Sequence, residues 1–314
     1  YTTLFRSPTV TTTITDDVIP GPGGSGTPGP EDTVLVSITS IALDTWNRSR
    51  AELRASRQGK AMVDSMARDF ESLVTRRGNT NEWLSAIAPS TMPGSKLKST
   101  NACDLIFFTA ATDRYDGQIG TTTDLGGDVS CAAYGLQYTD PIQGTSGNFD
   151  TFVLNRLLVS PKDAFNDLLG KPDLTTAFAT YKSKLSQPTN FVCENIYQFS
   201  LTFHVQVAQV SGSGTSATTT LVDVPVTVGK TSAGQVSKEF RINGAGVLAD
   251  VSGGSVTTAQ LKTGRLSAVE ISLTVVSDFG IDQLRSRTFS GSQQAEFLMK
   301  NSYQYTKLVQ LPSM

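Results

Sequence analysis

Residues 33–77 read TVLVSITSIALDTWNRSRAELRASRQGKAMVDSMARDFESLVTRR, and the stretch contains no proline. Its second half places apolar residues at alternating spacings of three and four, which puts them on one face of a helix. These residues are Val63, Met66, Phe70, Leu73 and Val74. Two arginines followed by Gly78 are typical of a helix end. We therefore predict one helix over 33–77, roughly 65 Å long at about 1.5 Å per residue.

The composition narrows the classes of function. A net charge of -2 gives no electrostatic reason to expect binding to nucleic acid or to an anionic membrane surface. No run of 18 apolar residues is present, so the sequence predicts no membrane span. The length of 314 residues fits one large domain or two small ones.

The first 32 residues are expected to lie outside the folded core. Residues 1–7, YTTLFRS, match a peptide that a widely used sequencing adapter encodes in one reading frame. We interpret them as an artefact and expect the native start to be missing. Residues 8–32 are rich in threonine and then in proline and glycine, which predicts a flexible tether. The apolar decamer 34–43 is either a buried first turn of the helix or an edge strand.

Residues 78–314 are predicted to form a β-rich head. Alternation and β-branched content predict strands at 104–110, 128–138, 149–159, 194–210, 221–228 (an edge strand, because it contains Pro225), 236–243 and 268–276. Helical segments are expected at 161–170, at 173–185 with Asp173 as N-cap, and at 292–308. Residues 79–102 are expected to be irregular. A leading helix followed by strands at hairpin-like spacing indicates an α+β fold with an antiparallel sheet.

Few residues suggest catalysis or metal binding. The lone histidine, His204, lies on the polar side of its predicted strand, so we expect an ordinary solvated side chain and no enzyme. The weak candidates for a calcium site are the aspartates Asp113, Asp116, Asp124 and Asp128, whose spacing does not fit an EF-hand. No other cofactor is expected. Of the cysteines Cys103, Cys131 and Cys193, the first and last are able to pair in an oxidising compartment, but we expect three buried thiols.

The order of segments resembles the type IV pilin-like proteins, most closely the J-type minor pseudopilins of type II secretion and pilus assembly. It is also similar to prepilin-like proteins of the Verru_Chthon cassette type. The segments that carry the resemblance are VLVSITSIALDTW (34–46), RAELRASRQGKAMVDSMARDFESL (50–73) with its Ala-Arg-Asp-Phe motif at 67–70, LIFF (105–108), DVSCAAYGL (128–136), NRLL (155–158) and VEISLTV (269–275).

The resemblance implies a pilin-like fold, in which the long N-terminal helix packs on antiparallel sheet. It also implies a structural, membrane-anchored subunit that initiates or caps a periplasmic pseudopilus or related filament. Its partners would be other pilin-like subunits, contacted through the helix, and the bacterial inner membrane, reached through a missing N-terminal segment. Asp64, Arg68 and Glu71 would form ion pairs between subunits, and Arg50, Arg54 and Arg57 would contact lipid headgroups. The alternative for both sets is an ordinary solvated helix face.

A second class of function remains open. Residues 8–32 would then tether a secreted or surface β-rich binding or adhesion module, with its ligand groove beside the aspartate loop. Calcium-dependent thermal stabilisation distinguishes this alternative from a filament subunit.

Overall fold

The computed structural model describes residues 30–76, 78–110, 127–147, 149–211, 218–230, 234–251 and 256–311. The chain forms two units, Tyr1–Asn47 and Arg48–Met314, and helix α1 (Pro30–Glu71) begins in the first and ends in the second. The second unit combines helices with two sheets whose strands are antiparallel except for one short parallel pair. The α+β prediction is therefore confirmed.

The remaining elements follow α1 in the described residues. The strands are β1 (Glu82–Ile87), β2 (Asp104–Thr109), β3 (Ser130–Thr139), β4 (Thr151–Val159), β5 (Phe191–Glu194), β6 (Ile196–Ser211), β7 (Thr218–Val228), β8 (Val236–Ser237), β9 (Glu239–Asn243), β10 (Gly246–Ala249), β11 (Arg265–Val276) and β12 (Ser302–Gln310). The short helices are α2 (Pro161–Asp163), α3 (Leu174–Phe178), α4 (Lys182–Leu185), α5 (Thr258–Lys262), α6 (Asp278–Ser286) and α7 (Gly291–Asn301).

The strands form two sheets that share one core. Sheet 1 has the order β10-β9-β1-β2-β3-β4-β5, and sheet 2 has the order β12-β11-β6-β7-β8. The two sheets meet where the rings of Phe203 on β6 and Phe240 on β9 stack with centroids 4.1 Å apart. The predicted alternation of β6 is confirmed, since Phe199, Leu201, Phe203, Val205 and Val207 are all fully buried.

The C-terminal part of α1 packs on both sheets. Its buried positions repeat at helical spacing: Ala55, Gly59, Met62, Val63, Met66, Ala67 and Phe70. Phe70 stacks on Phe107 of sheet 1 with ring centroids 4.6 Å apart. Gly59 lies against sheet 2, where an added Cβ would come within 2.4 Å of the Tyr305 ring. This contact explains why a glycine is present in the middle of a helix, where it is otherwise unfavourable.

The other face of sheet 1 is covered by short helical segments. They are α2, a π-helical turn (Ala164–Leu168), α3, a 3-10 turn (Ala179–Tyr181) and α4. Ser85 of β1 bonds Thr175 of α3 at 2.9 Å, and Gln137 of β3 bonds Ser186 after α4 at 2.6 Å. Asp173 accepts the backbone N–H of Thr176 at 2.9 Å, which confirms its predicted role as an N-cap.

The boundaries of α1 differ from the predicted 33–77. The helix begins at Pro30, because a proline in the first turn removes an N–H that would have no helical partner. It ends at Glu71, because the chain beyond joins the end of β2. The N–H of Val74 donates to the Phe108 carbonyl at 2.9 Å, and the Thr109 hydroxyl donates to the Asp69 carbonyl at 3.0 Å.

Residues 34–43 do not form an edge strand, and the side chains described within them, those of 37–43, are not buried. They are helical, and Ile38, Ile41 and Leu43 are 60%, 63% and 55% exposed. Burial was expected because these residues are apolar. A side chain is buried only where another surface packs on it, and the sequence of these ten residues does not show whether such a surface is present.

Two further segments were predicted wrongly. Residues 82–87, expected to be irregular, form β1, whose residues are buried on both faces and so show no alternation. Residues 292–308, expected to be one helix, form α7 up to Asn301 and then β12. Strand β12 pairs with β11 at each of its residues, and this long-range pairing overrides the helical spacing of Phe297, Leu298 and Tyr305.

Candidate functional site

Three charged residues of α1 were predicted to pair between subunits, and their surroundings differ from one to the next. They are Asp64, Arg68 and Glu71. Asp64 accepts a hydrogen bond from Lys307 of β12, with Oδ1 and Nζ 2.8 Å apart. This hydrogen bond and the charge of Lys307 lower the pKa of the Asp64 carboxyl. Arg68 and Glu71 have exposed side chains. The Asp64 pair therefore lies within one chain and fastens α1 to sheet 2.

The arginines that were predicted to meet lipid also differ from one another. Arg50 and Arg57 have exposed side chains. Arg54 instead bonds the Glu194 carboxylate at the end of β5, and its Nη1 lies 3.2 Å from Asp278 Oδ2 on α6. Arg54 is thus bound to two carboxylates of its own chain, which leaves it poorly suited to a lipid phosphate.

Asn195, the residue at which the chain passes from sheet 1 to sheet 2, lies next to the ion pairs of Arg54 with Glu194 and Asp278. Asn195, between β5 and β6, has a φ of 63°, and asparagine tolerates this left-handed conformation better than most residues. Its Nδ2 donates to Asp278 at 2.7 Å, and its Oδ1 accepts from Thr151 at 2.6 Å. These two hydrogen bonds fix the connection between β5 and β6 to both α6 and β4.

A buried ion pair joins α1 to sheet 1, and sequence reasoning missed it. Arg156 of β4 donates to both oxygens of Asp69, from Nε at 2.8 Å and from Nη2 at 2.9 Å. Tyr134 of β3 also donates to Asp69, and burial together with the nearby carboxylate raises the pKa of the Tyr134 hydroxyl. The available signal was an arginine inside the apolar run of β4, since a buried arginine needs a carboxylate partner.

A second buried carboxylate holds the other end of sheet 1. Glu82 of β1 is 3% exposed, accepts the N–H of Leu174 at 2.8 Å and lies 3.3 Å from Arg241. Arg241 also pairs with Glu239 at 3.0 Å and lies 3.7 Å from Asp173. One guanidinium thus offsets three carboxylates, and the group fixes the first turn of α3 to β1 and β9.

His204 lies on the polar side of β6, as predicted, but it is not a freely solvated side chain. Its Nδ1 is 2.7 Å from Asp223 Oδ2 on β7, and the imidazole side chain is 20% exposed. Its cross-strand neighbours are Pro225 and Ala268. Asp223 therefore holds the His204 imidazole on the surface of sheet 2.

The calcium prediction falls mostly on residues that the structure does not describe. Asp113, Asp116 and Asp124 lie outside the described ranges. Asp128 is exposed ahead of β3. Across the described part of the chain, no group of three or more His, Cys, Asp or Glu side chains is placed to hold a metal ion.

The cysteines are three free, buried thiols, as predicted, with no disulfide between Cys103 and Cys193. Burial raises the pKa of all three thiols, to about 12 for Cys193. A thiol with a raised pKa is a poor nucleophile at neutral pH, so these cysteines serve as small apolar side chains.

The first unit presents apolar side chains on its helix. Ile38, Ile41, Leu43 and Trp46 are each 55–63% exposed, and we call this set the α1 apolar surface. Ile38 and Ile41 are three residues apart and therefore neighbours on a helix, and so are Leu43 and Trp46. The two pairs lie about 140° apart around the helix axis, so the set covers more than one side of α1. None of the helices in the described part of the chain has the length and apolar content that a membrane span requires.

Comparisons with known proteins give no relative for this chain. No family model matches it, no curated protein matches it, and no solved structure matches it.

Proposed function

We propose that this protein is a structural subunit, a minor pseudopilin-like or prepilin-like protein that helps to initiate or cap a periplasmic pseudopilus or a related filament. The observation that carries the proposal is the contrast within α1. Residues 55–70 bury one face in a β-rich head, whereas the α1 apolar surface at 38–46 is exposed. Several exposed isoleucine, leucine and tryptophan side chains within nine residues of one helix are suited to contact with another molecule.

The pilin-like interpretation of the fold belongs to this proposal. It is supported by a continuous helix of 42 residues that precedes the strands and packs on antiparallel sheet. In such a subunit the helix packs against equivalent helices of partner subunits, and the head presents surface to neighbours or cargo. The inner membrane would be reached through a segment ahead of the present sequence, and no enzymatic activity is proposed.

Two experiments test this function. The first is the sequence of the genomic DNA upstream of codon 8, where we expect an in-frame apolar segment preceded by a prepilin processing site. A complete reading frame that lacks such a segment contradicts the proposal.

The second experiment is co-purification from membranes of the source cell. The chain is expected to retain other subunits that begin with a long helix. Ile41→Asp should weaken this retention, because it places a charge in the α1 apolar surface, and Ser40→Asp provides a control with the same added charge one residue away. Equal retention by both variants contradicts a role for that surface.

A surface binding module is the second candidate, and one observation favours it. The outer face of sheet 2 carries polar side chains across four strands, with the Glu270 carboxylate among uncharged groups. The uncharged ones are Gln198, Ser200, Thr202, Thr227, Ser272, Thr274, Gln304 and Thr306. Neighbouring side chains bond one another, as in the Thr202–Thr227 pair at 2.8 Å. Binding of soluble glycans that Thr202→Tyr abolishes would support this candidate, and millimolar calcium should then raise the melting temperature.

A further inference from the structure

The two sheets end in four edge strands, and one edge differs from the others. Strands β10 and β5 have four residues each and β8 has two, whereas β12 has nine. Strand β12 pairs with β11 from Ser302 to Gln310 without a bulge. Short edge strands and bulges are common ways of preventing edge-to-edge pairing, and β12 uses neither.

The hydrogen bonds that flank β12 show which of its backbone groups face outward. Ser277 N–H donates to the Asn301 carbonyl, and Leu311 N–H donates to the Ser267 carbonyl, both at 2.9 Å. Because bonding directions alternate along an antiparallel pair, odd-numbered residues of β12 bond β11 and even-numbered ones face the open edge.

The outward residues are accessible. Gln304, Thr306, Leu308 and Gln310 all have exposed side chains. Within the part of the chain that the structure describes, no hydrogen bond ends on the backbone N–H or carbonyl groups of these residues. The edge therefore presents an unpaired ladder of donors and acceptors.

The usual chemical protection of an edge strand is also weak here. The strand reads SYQYTKLVQ and contains no proline. Its one charged residue, Lys307, is bound to Asp64 of α1 on the inner side of the sheet. Lys307 is thus the one charge that β12 presents to an approaching strand, and its position restricts which registers are favourable.

We propose that β12 pairs antiparallel with β12 of a second copy of this chain, about a two-fold axis at Thr306. If residues 302–310 of both copies pair along their full length, the two-fold axis passes through Thr306, the midpoint of the strand. The backbone N–H and carbonyl of Thr306 face the open edge, so they can bond the same residue of the second copy. Gln304 then lies opposite Leu308 of the second copy, and Tyr305 lies opposite Lys307 of the second copy.

Charge selects this register over its neighbours. An axis at Lys307 would place two lysines opposite each other, which destabilises a cross-strand pair. An axis at Tyr305 avoids that contact but shortens the overlap. In the Thr306 register Lys307 meets an aromatic ring, a favourable neighbour for a cation. The pairing joins the outer faces of both copies of sheet 2 into one continuous surface.

The test uses the full chain and a pair of oppositely charged variants. Wild-type protein should show a monomer–dimer equilibrium in sedimentation velocity. Thr306→Asp and Thr306→Lys each place like charges at the axis and should weaken dimerisation at least about tenfold. An equimolar mixture of the two variants should restore a 1:1 dimer, because opposite charges then meet.

Controls separate pairing from folding and from contacts through α1. Thr306→Ser should dimerise as the wild type does, and far-ultraviolet circular dichroism should be the same for all of the variants. The proposal is overturned if wild type stays monomeric, if Thr306→Asp alone dimerises normally, or if the mixture does not associate. It is also overturned if Ile41→Asp abolishes dimerisation, since association would then depend on the α1 apolar surface.

Discussion

Sheet 1 and sheet 2 are built from the same kind of strand but are covered differently. The central strands of sheet 1 are buried on both faces, with α1 and sheet 2 on one side and α2 to α4 on the other. Strand β11 of sheet 2 alternates between buried and half-buried residues, and its outer face carries the polar side chains. Both edges of sheet 1 are short strands, whereas one edge of sheet 2 is the long β12 and the other is the two-residue β8.

This difference divides the strands into a covered sheet and a sheet with an open face and edge. Sheet 1 is the structural centre, and its buried charges, Asp69 with Arg156 and Glu82 with Arg241, fix neighbouring elements to it. Sheet 2 keeps an open face and an open edge, and these are the features that contact with other molecules requires. The following predictions test the contrast, from the largest expected effect to the smallest.

Arg156→Ala should have the largest effect, because it leaves the Asp69 carboxylate buried without its ion-pair partner. Breaking a buried pair from one side costs about 3–5 kcal/mol of unfolding free energy. The control is Arg48→Ala, whose exposed pair with Glu52 contributes under about 0.5 kcal/mol. Urea unfolding measures both, and similar losses would contradict a covered sheet 1.

Phe203→Ala and Thr202→Ala test the two faces of sheet 2 at adjacent positions. Phe203 is fully buried and stacks on Phe240, so its truncation should cost about 3–4 kcal/mol. Thr202 faces outward and bonds the Thr227 hydroxyl there, so its loss should cost under about 1 kcal/mol. Equal losses in chemical denaturation would mean that the outer face is also covered.

Gly59→Ala tests how closely α1 packs on sheet 2. The new methyl group would collide with the Tyr305 ring, and we expect a loss of about 1–2 kcal/mol despite the better helix propensity of alanine. Gly291→Ala, at the start of α7, should be neutral or stabilising, because no atom of the described residues lies within 4 Å of the added Cβ. A stabilising Gly59→Ala in thermal unfolding would rule out the close contact.

The pKa values of the Asp64 and Asp104 carboxyls should be shifted in opposite directions from the ordinary value. Lys307 lowers the pKa of Asp64, so this group stabilises the fold above its unfolded pKa and loses that effect as the pH falls. Burial raises the pKa of Asp104, so its contribution is most favourable at low pH and is lost as the pH rises through the folded pKa. Carboxyl carbon shifts in NMR titrations measure both, and Lys307→Gln should return Asp64 towards its ordinary value.

The sequence predicted the elements whose pattern is local. The apolar spacing of α1 and the alternation of β6 and β11 follow from one buried side facing one exposed side. Strand β1 could not be found in this way, because burial on both faces removes alternation and leaves a short apolar run. Strand β12 was mistaken for helix because its identity depends on pairing with β11, which no local window contains.

The charged sites were harder to predict for the same reason. Asp69 and Arg156 lie far apart in sequence, and nothing near either residue identifies its partner. Asp64 and Arg54 were predicted to contact another subunit and lipid, and no local pattern pointed to Lys307, Glu194 and Asp278, the residues of the same chain that they pair with. The exposure of Ile38 and Ile41 was missed because apolar content alone predicts burial.

Amide hydrogen exchange on monomeric protein tests the contrast between the sheets most directly. The account predicts slow exchange throughout β2 and β3 but alternation along β12. Tyr305 and Lys307 should exchange slowly, because their N–H groups bond β11, and Thr306 and Leu308 should exchange quickly. Uniformly slow exchange along β12 in the monomer would contradict an open edge on sheet 2, and fast exchange within β2 or β3 would contradict a covered sheet 1.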